Sequence, residues 1–155
     1  MYEVWTDGSC LGNPGNGGWA AVANDFKICG AQRDSTNNRM EMVGVIRALE
    51  RCLQIGERRV CINTDSNYTK NGITSWIIGW KKNGWRTSKG TDVKNKELWQ
   101  KLDDLREKFI ILEWKWVKAH SGIPQNELVD TLARDCAKNI STVSDVPFLD
   151  DVIIR

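Results

Sequence analysis

Residues 58–65 read RRVCINTD. Between the arginine pair and the closing aspartate, Val60, Ile62 and Thr64 are β-branched and Cys61 is apolar. A short run of this kind reads as a strand buried on both faces. Such a strand needs partners on its edges and covering elements above and below. The chain supplies both. Met1–Thr6 is a strand ending at Asp7, and two further short strands, WAAVAND and FKICGAQ, meet at a tight turn at Asn24-Asp25. Three strands in succession predict an antiparallel meander.

The remaining segments carry helical and strand periods. In STNNRMEMVGVIRALERCL, Met42, Val45, Ile46, Leu49, Cys52 and Leu53 recur at helical spacing; Ser35, Thr36 or Asn37 caps the start and Gly56 suits the stop. SNYTKNGITSWIIGW is helical in two pieces, broken at Gly72 or Gly79, and NKELWQKLDDLREK is amphipathic. FIILEWKWVKAH is a strand with Leu112, Trp114 and Trp116 on one side; Trp99, Trp114 and Trp116 are read as core. NELVDTLARDCAKN is a last helix. The order βββαβααβα predicts an α/β fold, a mixed sheet with helices on its faces. With 155 residues the chain is expected to form one domain, and the tail 141–155 is less patterned.

The glycine-rich stretch DGSCLGNPGNGG, residues 7–18, reads as a loop. Five cysteines without a CxxC pair argue against a zinc site. Read as free thiols, they suit a reducing compartment, and the absence of a signal or membrane-spanning run makes a cytoplasmic protein the simplest reading. Net charge is only +2, yet residues 81–96 hold six basic residues against one acid.

Acids fall at telling places. Asp7 and Asp65 close two strands; if these strands are parallel neighbours, both carboxylates emerge at one sheet edge, where α/β sheets bind ligands. Glu41 lies in the first turn of a helix, roughly 80° off its apolar stripe by the helical period. Asp130 sits in the first half of the last helix. Singly, each is more often a turn former, a cap or a dipole complement. Jointly, clustered carboxylates repel one another and call for cations. Hard oxygen ligands select Mg²⁺ or Mn²⁺, and a pair of such ions about 4 Å apart is the clamp used for displacement at phosphorus.

The motifs TDGSCLGNPGNGG, TNNRMEM, TDSNY, WIIGWKKNGW with VKNKELWQKLD, and WVKAHSGIPQNELVDTLAR together resemble type 1 ribonuclease H of the bacterial ribonuclease HI kind, from about Trp5 to about Lys138. The resemblance implies a ribonuclease H-like fold: a five-stranded mixed β-sheet flanked by α-helices. It implies a monomeric, Mg²⁺-dependent endonuclease that cuts the RNA strand of RNA–DNA hybrids by two-metal-ion catalysis, leaving 3′-hydroxyl and 5′-phosphate ends. By motif, Asp7, Glu41, Asp65 and Asp130 bind metal, and His120, the only histidine, assists proton transfer or product departure. Cys10 (through its backbone), Asn13, Asn37, Asn38 and Asn67 line the minor groove, where 2′-hydroxyls distinguish RNA. Residues 76–96 match a basic handle, with Trp76 against a deoxyribose and Lys81, Lys82 and Arg86 offered to phosphates; Trp80 and Trp85 are assigned to packing. Thr36 and Asn95 match a DNA-phosphate pocket, but the position two before the threonine, an arginine in many members, is Asp34 here, with Arg33 adjacent.

Two other readings compete. One is a related polynucleotidyl transferase core acting on DNA ends, which sheet-edge acids alone would allow. The other is a non-catalytic hybrid-binding module, against which four acids facing phosphates argue.

Overall fold

The structure is a computed structural model that describes residues 1–139 and 152–153. The first three strands, β1 (Tyr2–Gly12), β2 (Gly15–Val22) and β3 (Lys27–Ser35), form the predicted antiparallel meander. Helix α1 (Asn37–Gln54) crosses to β4 (Arg59–Thr64), which runs parallel to β1. Then follow α2 (Asn67–Asn71), a π-helical turn (Gly72–Trp76), α3 (Ile77–Lys82), α4 (Lys96–Arg106), β5 (Ile111–Trp116), parallel to β4, and α5 (Pro124–Lys138). The sheet order is β5-β4-β1-β2-β3, extended by a two-residue β6 (Val152–Ile153) antiparallel to β3. The expected five strands are therefore present, with one short addition at the meander's edge. The rest of the tail expected over 141–155 lies outside the described residues.

Alternation along the strands sorts the core into two layers. Trp19, Ala21 and Ile28 face α1 and α4, joining Met42, Ile46, Leu49, Leu98 and Leu102. Ala20, Val22, Cys29 and Ala31 face α5, joining Val129, Leu132, Ala133 and Cys136. Thr36 caps α1 by accepting from the Arg39 amide at 3.2 Å. The break between α2 and α3 falls at Gly72, where a Cβ would lie 2.0 Å from the Trp99 ring.

Three expectations are corrected. β1 does not end at Asp7, nor is 7–18 a loop: β1 and β2 pair from Trp5↔Val22 to Gly12↔Gly15, leaving only Asn13-Pro14 as the turn. The glycines serve close packing rather than coil. A Cβ on Gly8 would sit 2.3 Å from the Glu41 backbone nitrogen, and one on Gly18 would sit 2.0 Å from the Ala133 carbonyl oxygen, so α1 and α5 lie directly on the strands. The cysteines are not all free: Cys29 on β3 and Cys136 on α5 are disulfide-bonded, while Cys10, Cys52 and Cys61 are free. Trp116 is not core. It is 43% exposed, and its indole N–H donates to the Asp65 carbonyl at 3.1 Å. Among the described residues no helix is long and apolar enough to cross a membrane.

Gly8→Ala is expected to destabilise the protein by ~1–3 kcal/mol or more, because rigid backbone must move to admit a methyl group. Gly79→Ala, in α3 with open space around it, is expected to stabilise by ~0.5–1 kcal/mol through helix propensity. Urea unfolding of both variants measures the difference; equal effects would show that Gly8 is no packing platform.

Candidate active site

The parallel pairing of β1 with β4 runs from Tyr2↔Val60 to Trp5↔Asn63. Two residues further along the same register stand Asp7 and Asp65. The Gly8 contact, with the Met40–Glu41 backbone, then sets α1 over this edge and brings in Glu41, which stands just past the helix's first turn rather than in it as expected. One carboxylate oxygen from each of Asp7, Glu41 and Asp65 lies within 4.8 Å of the others. The fourth acid, Asp130 on α5, stands beside this group within hydrogen-bonding reach of Asp7. Its Oδ2 also accepts from Arg134 Nη2 at 2.8 Å, one helical turn on.

Electrostatically the cluster is far from its resting preference. Burial pushes the Asp7 carboxyl up to about 8, against the lowering effect of Glu41 and the Gly8 amide and with the help of the Asp65 charge and the neighbouring Asp130. Glu41 is held well above the usual carboxylate range, first by burial, then by the charges of Asp7 and Asp65. Asp65 is raised by burial and by Asp130, with the His120 charge acting in the opposite sense. The chain itself does little to offset this. The Gly8 amide donates to Asp7 Oδ1 at 2.9 Å, but Glu41 Oε2 is buried with no hydrogen-bond partner. An all-oxygen donor set with an orphaned buried carboxylate oxygen fits a hard divalent cation.

His120 lies on the exposed loop between β5 and α5, in the left-handed region at φ 55°. Ser121 Oγ donates to the Lys118 carbonyl at 2.7 Å and closes that turn. The imidazole is near enough to favour ionisation of Asp65.

A cleft of about 790 Å³ is lined by Asn13, Thr36, Asn37, Asn38 and Asn95 from the expected set. Asp34 is not among its lining residues. Tyr68, Trp80, Thr87, Thr91, Asp92, Val93 and Lys94 complete the wall and were not selected by sequence reasoning, except Trp80 as a packing residue. Tyr68 directly follows Asn67 in a capped helical turn, a signal that could have found it. Asn13 Oδ1 accepts from the Asn37 amide at 3.1 Å, tying the β1–β2 turn to α1. Asn95 Nδ2 donates to the Tyr68 hydroxyl at 3.3 Å. Cys10 is half-buried, with its thiol toward the Gly15 and Ser35 carbonyls. Asn67 opens α2 right after Asp65, at the same end of β4.

Beyond the cleft, Trp76 is 41% exposed, and a second, shallower hollow of about 460 Å³ is lined by Trp76, Trp80, Asn83 and Arg86 among others. Trp80 packs on Trp99 with ring centroids 5.4 Å apart, and Trp85 packs against the main core. Arg86 Nη1 donates to the Gly90 carbonyl at 3.1 Å, and Lys81 Nζ is ion-paired with Asp103 at 2.9 Å.

The family model described as RNase H matches residues 1–138. A ribonuclease H of Xanthomonas campestris pv. campestris is 49% identical over 139 residues, covering 87% of this chain and 91% of that protein. A ribonuclease H of Anaplasma marginale is 52% identical over 136 residues, covering 84% and 86%. Among solved structures, LC9-RNase H1, described as a type 1 RNase H with the type 2 active-site motif, is similar with a TM-score of 0.78 and 31% identity, covering 89% of this chain and 72% of that one.

An acid with a raised folded pKa keeps its proton in the folded state where the unfolded chain has lost it. The stability that proton carries is full below the ordinary value of 3.8 and is lost as pH rises toward about 8. Asp7→Asn removes the penalty. In EDTA the variant is expected to melt several degrees above the parent at pH 8, with the gap closing toward pH 4. A variant that melts lower at pH 8 would contradict the electrostatic account.

Proposed function

This chain belongs to the RNase H family and is a ribonuclease H, hydrolysing the RNA strand of RNA–DNA hybrids; from that premise we propose that Asp7, Glu41, Asp65 and Asp130 hold two Mg²⁺ ions and carry the reaction. The supporting observation is the set of three carboxylate oxygens within 4.8 Å of one another, with Glu41 Oε2 buried and unpartnered. Held by these acids, divalent ions, Mg²⁺ or in its place Mn²⁺, would supply Lewis-acid activation of water and charge neutralisation at the leaving 3′ oxygen.

The residues divide the remaining work. Asp7, within β1, and Asp65, directly after the end of the parallel strand β4, give the base of the site. Glu41 comes from α1 and is fixed by the Gly8 contact. Asp130 comes from α5, and Arg134, one turn on, holds one of its oxygens. His120, on the exposed loop, handles the proton that the leaving 3′ oxygen needs and assists product departure. It acts without occupying a metal position.

The cleft beside the acids takes the hybrid. Asn13, Asn37, Asn38 and Asn67, with the Cys10 backbone, offer donors and acceptors suited to 2′-hydroxyls. Thr36 and Asn95 face a DNA-strand phosphate; with Asp34 in the arginine position, that grip lacks one cation. Residues 76–96 form the handle of a single domain spanning 1–155, with Trp76 against deoxyribose and Lys82 and Arg86 toward phosphates. We assign the protein to the cytoplasm as a monomer, on the expectation that hybrids arise where DNA is copied and transcribed.

A labelled hybrid of about 12–20 base pairs, incubated with Mg²⁺ and with EDTA, tests the assignment. RNA-strand cleavage in Mg²⁺ alone, with 5′-phosphate ends, is expected; DNA-strand or metal-independent cleavage would overturn it. Asp7→Asn and Asp65→Asn are expected to abolish turnover while the fold survives by circular dichroism. His120→Ala is expected to lower kcat by roughly 10–10³-fold, the usual worth of proton-transfer help. An unaltered kcat would leave the histidine without a role.

A further inference from the structure

Asp103 is an acid where the sequence pattern calls for a hydrophobe. It is 7% exposed, on the face of α4 that also buries Leu98, Trp99, Leu102 and Leu105. A carboxylate buried this far is retained only when paired. Both of its oxygens are taken. Lys81 Nζ, from α3, reaches Oδ2 at 2.9 Å, and Arg106 Nη2, one turn along α4, reaches Oδ1 at 2.5 Å.

Arg106 does a second job. In the π turn the Ile77 amide bonds to the Gly72 carbonyl rather than to that of Ile73. Arg106 Nη1 donates to the Ile73 carbonyl at 3.0 Å. The ion triad thus spans α4, the π turn and α3. On the same stem the aromatic rings pack in sequence at tilted angles: Trp76 lies 6.0 Å from Trp80, and Trp80 lies 5.4 Å from Trp99, centroid to centroid. Trp99 in turn sits over Gly72, where no side chain could fit. The direction in which α3 leaves the core is therefore set from two sides, by a run of packed aromatic rings and by a buried carboxylate.

We propose that Asp103 is a positioning residue for hybrid binding: through Lys81 it fixes α3 so that Trp76, Lys82 and Arg86 meet the DNA strand as one surface. Lys81 is spent on this clamp and contributes no phosphate contact of its own. The proposal rests on the reading of residues 76–96 as the substrate-gripping handle.

Salt dependence separates the two roles for a lysine. A cation that neutralises a duplex phosphate adds about 0.9 to the slope of log affinity against log salt, whereas one held by an internal carboxylate adds nothing. Lys81→Met, Asp103→Asn, their double variant and Lys82→Met are compared with the parent on a labelled hybrid. Binding is titrated with salt in EDTA, and KM and kcat are measured in Mg²⁺. Lys81→Met and Asp103→Asn are each expected to raise KM by ~3–10-fold with kcat within about twofold, and the double variant to be no worse than either single, as expected of one shared interaction. Lys81→Arg keeps the pair and is expected to restore KM.

The parent salt slope is expected to survive Lys81→Met and to fall on Lys82→Met. A slope lowered by both lysine variants overturns the clamp and leaves the handle standing. A slope and KM unchanged in both overturn the handle and the clamp with it. Additive losses in the double variant also overturn the clamp. Should Asp103→Asn fail to fold, the slope and KM of Lys81→Met still decide.

Discussion

Helix α1 rests on β1 at a point where no side chain intervenes. A single methyl group at Gly8 would collide with the Met40–Glu41 backbone. That contact fixes the height of the helix over the sheet and so the place of Glu41 relative to Asp7. The parallel pairing of β1 and β4 fixes Asp65 in the same frame. Gly18 plays the matching part on the other face, letting α5 settle on β2 and carry Asp130 to the edge. The site is thus set by two helix-to-strand approaches and one strand register, all backbone features. Its side chains are placed by elements that cannot shift independently.

Two buried carboxylate systems show what that rigidity is for. Asp103 is satisfied by the chain's own cations, Lys81 and Arg106. Asp7, Glu41 and Asp65 instead face one another, and all three are raised above the usual carboxylate range. The same physics applies to both, since burial penalises an uncompensated charge. The first system is complete and acts as structure. The second is incomplete without charge from outside and acts as a site. Arg134 on Asp130 is intermediate, an internal cation attached to one corner of the incomplete group.

Much of this was legible in the residues. Thr36 as the cap of α1, the stop near Gly56, the break at Gly72 and the buried β4 strand follow from capping chemistry and period. The four acids were marked jointly as a carboxylate set at the sheet edge, although Asp7 proved to lie within β1 rather than at its end, and family motifs joined them to His120 and the asparagines. The hairpin formed by β1 and β2 was misread because its glycines, taken as turn formers, are there to admit helices from either side. Trp116 was misread as core because strand alternation cannot say whether an edge strand's last residue is covered. The Cys29–Cys136 pairing joins residues 107 apart in sequence, and spacing gives no hint of it. Thr87 and Thr91 entered the cleft wall only through the path of the chain between α3 and α4.

The sequence by itself determined the elements, their order, the family and the identity of the acids, because period, caps and motifs are local and survive without contacts. Only the tertiary structure decided which partners those residues meet. It put Asp7, Glu41 and Asp65 within one ligand shell. It also paired the half-exposed Lys81 with the buried Asp103, a partner that a tally of basic residues does not disclose. A side chain's charge is written in the chain, but whether that charge is spent inside the protein or offered to a ligand depends on which elements pack beside it.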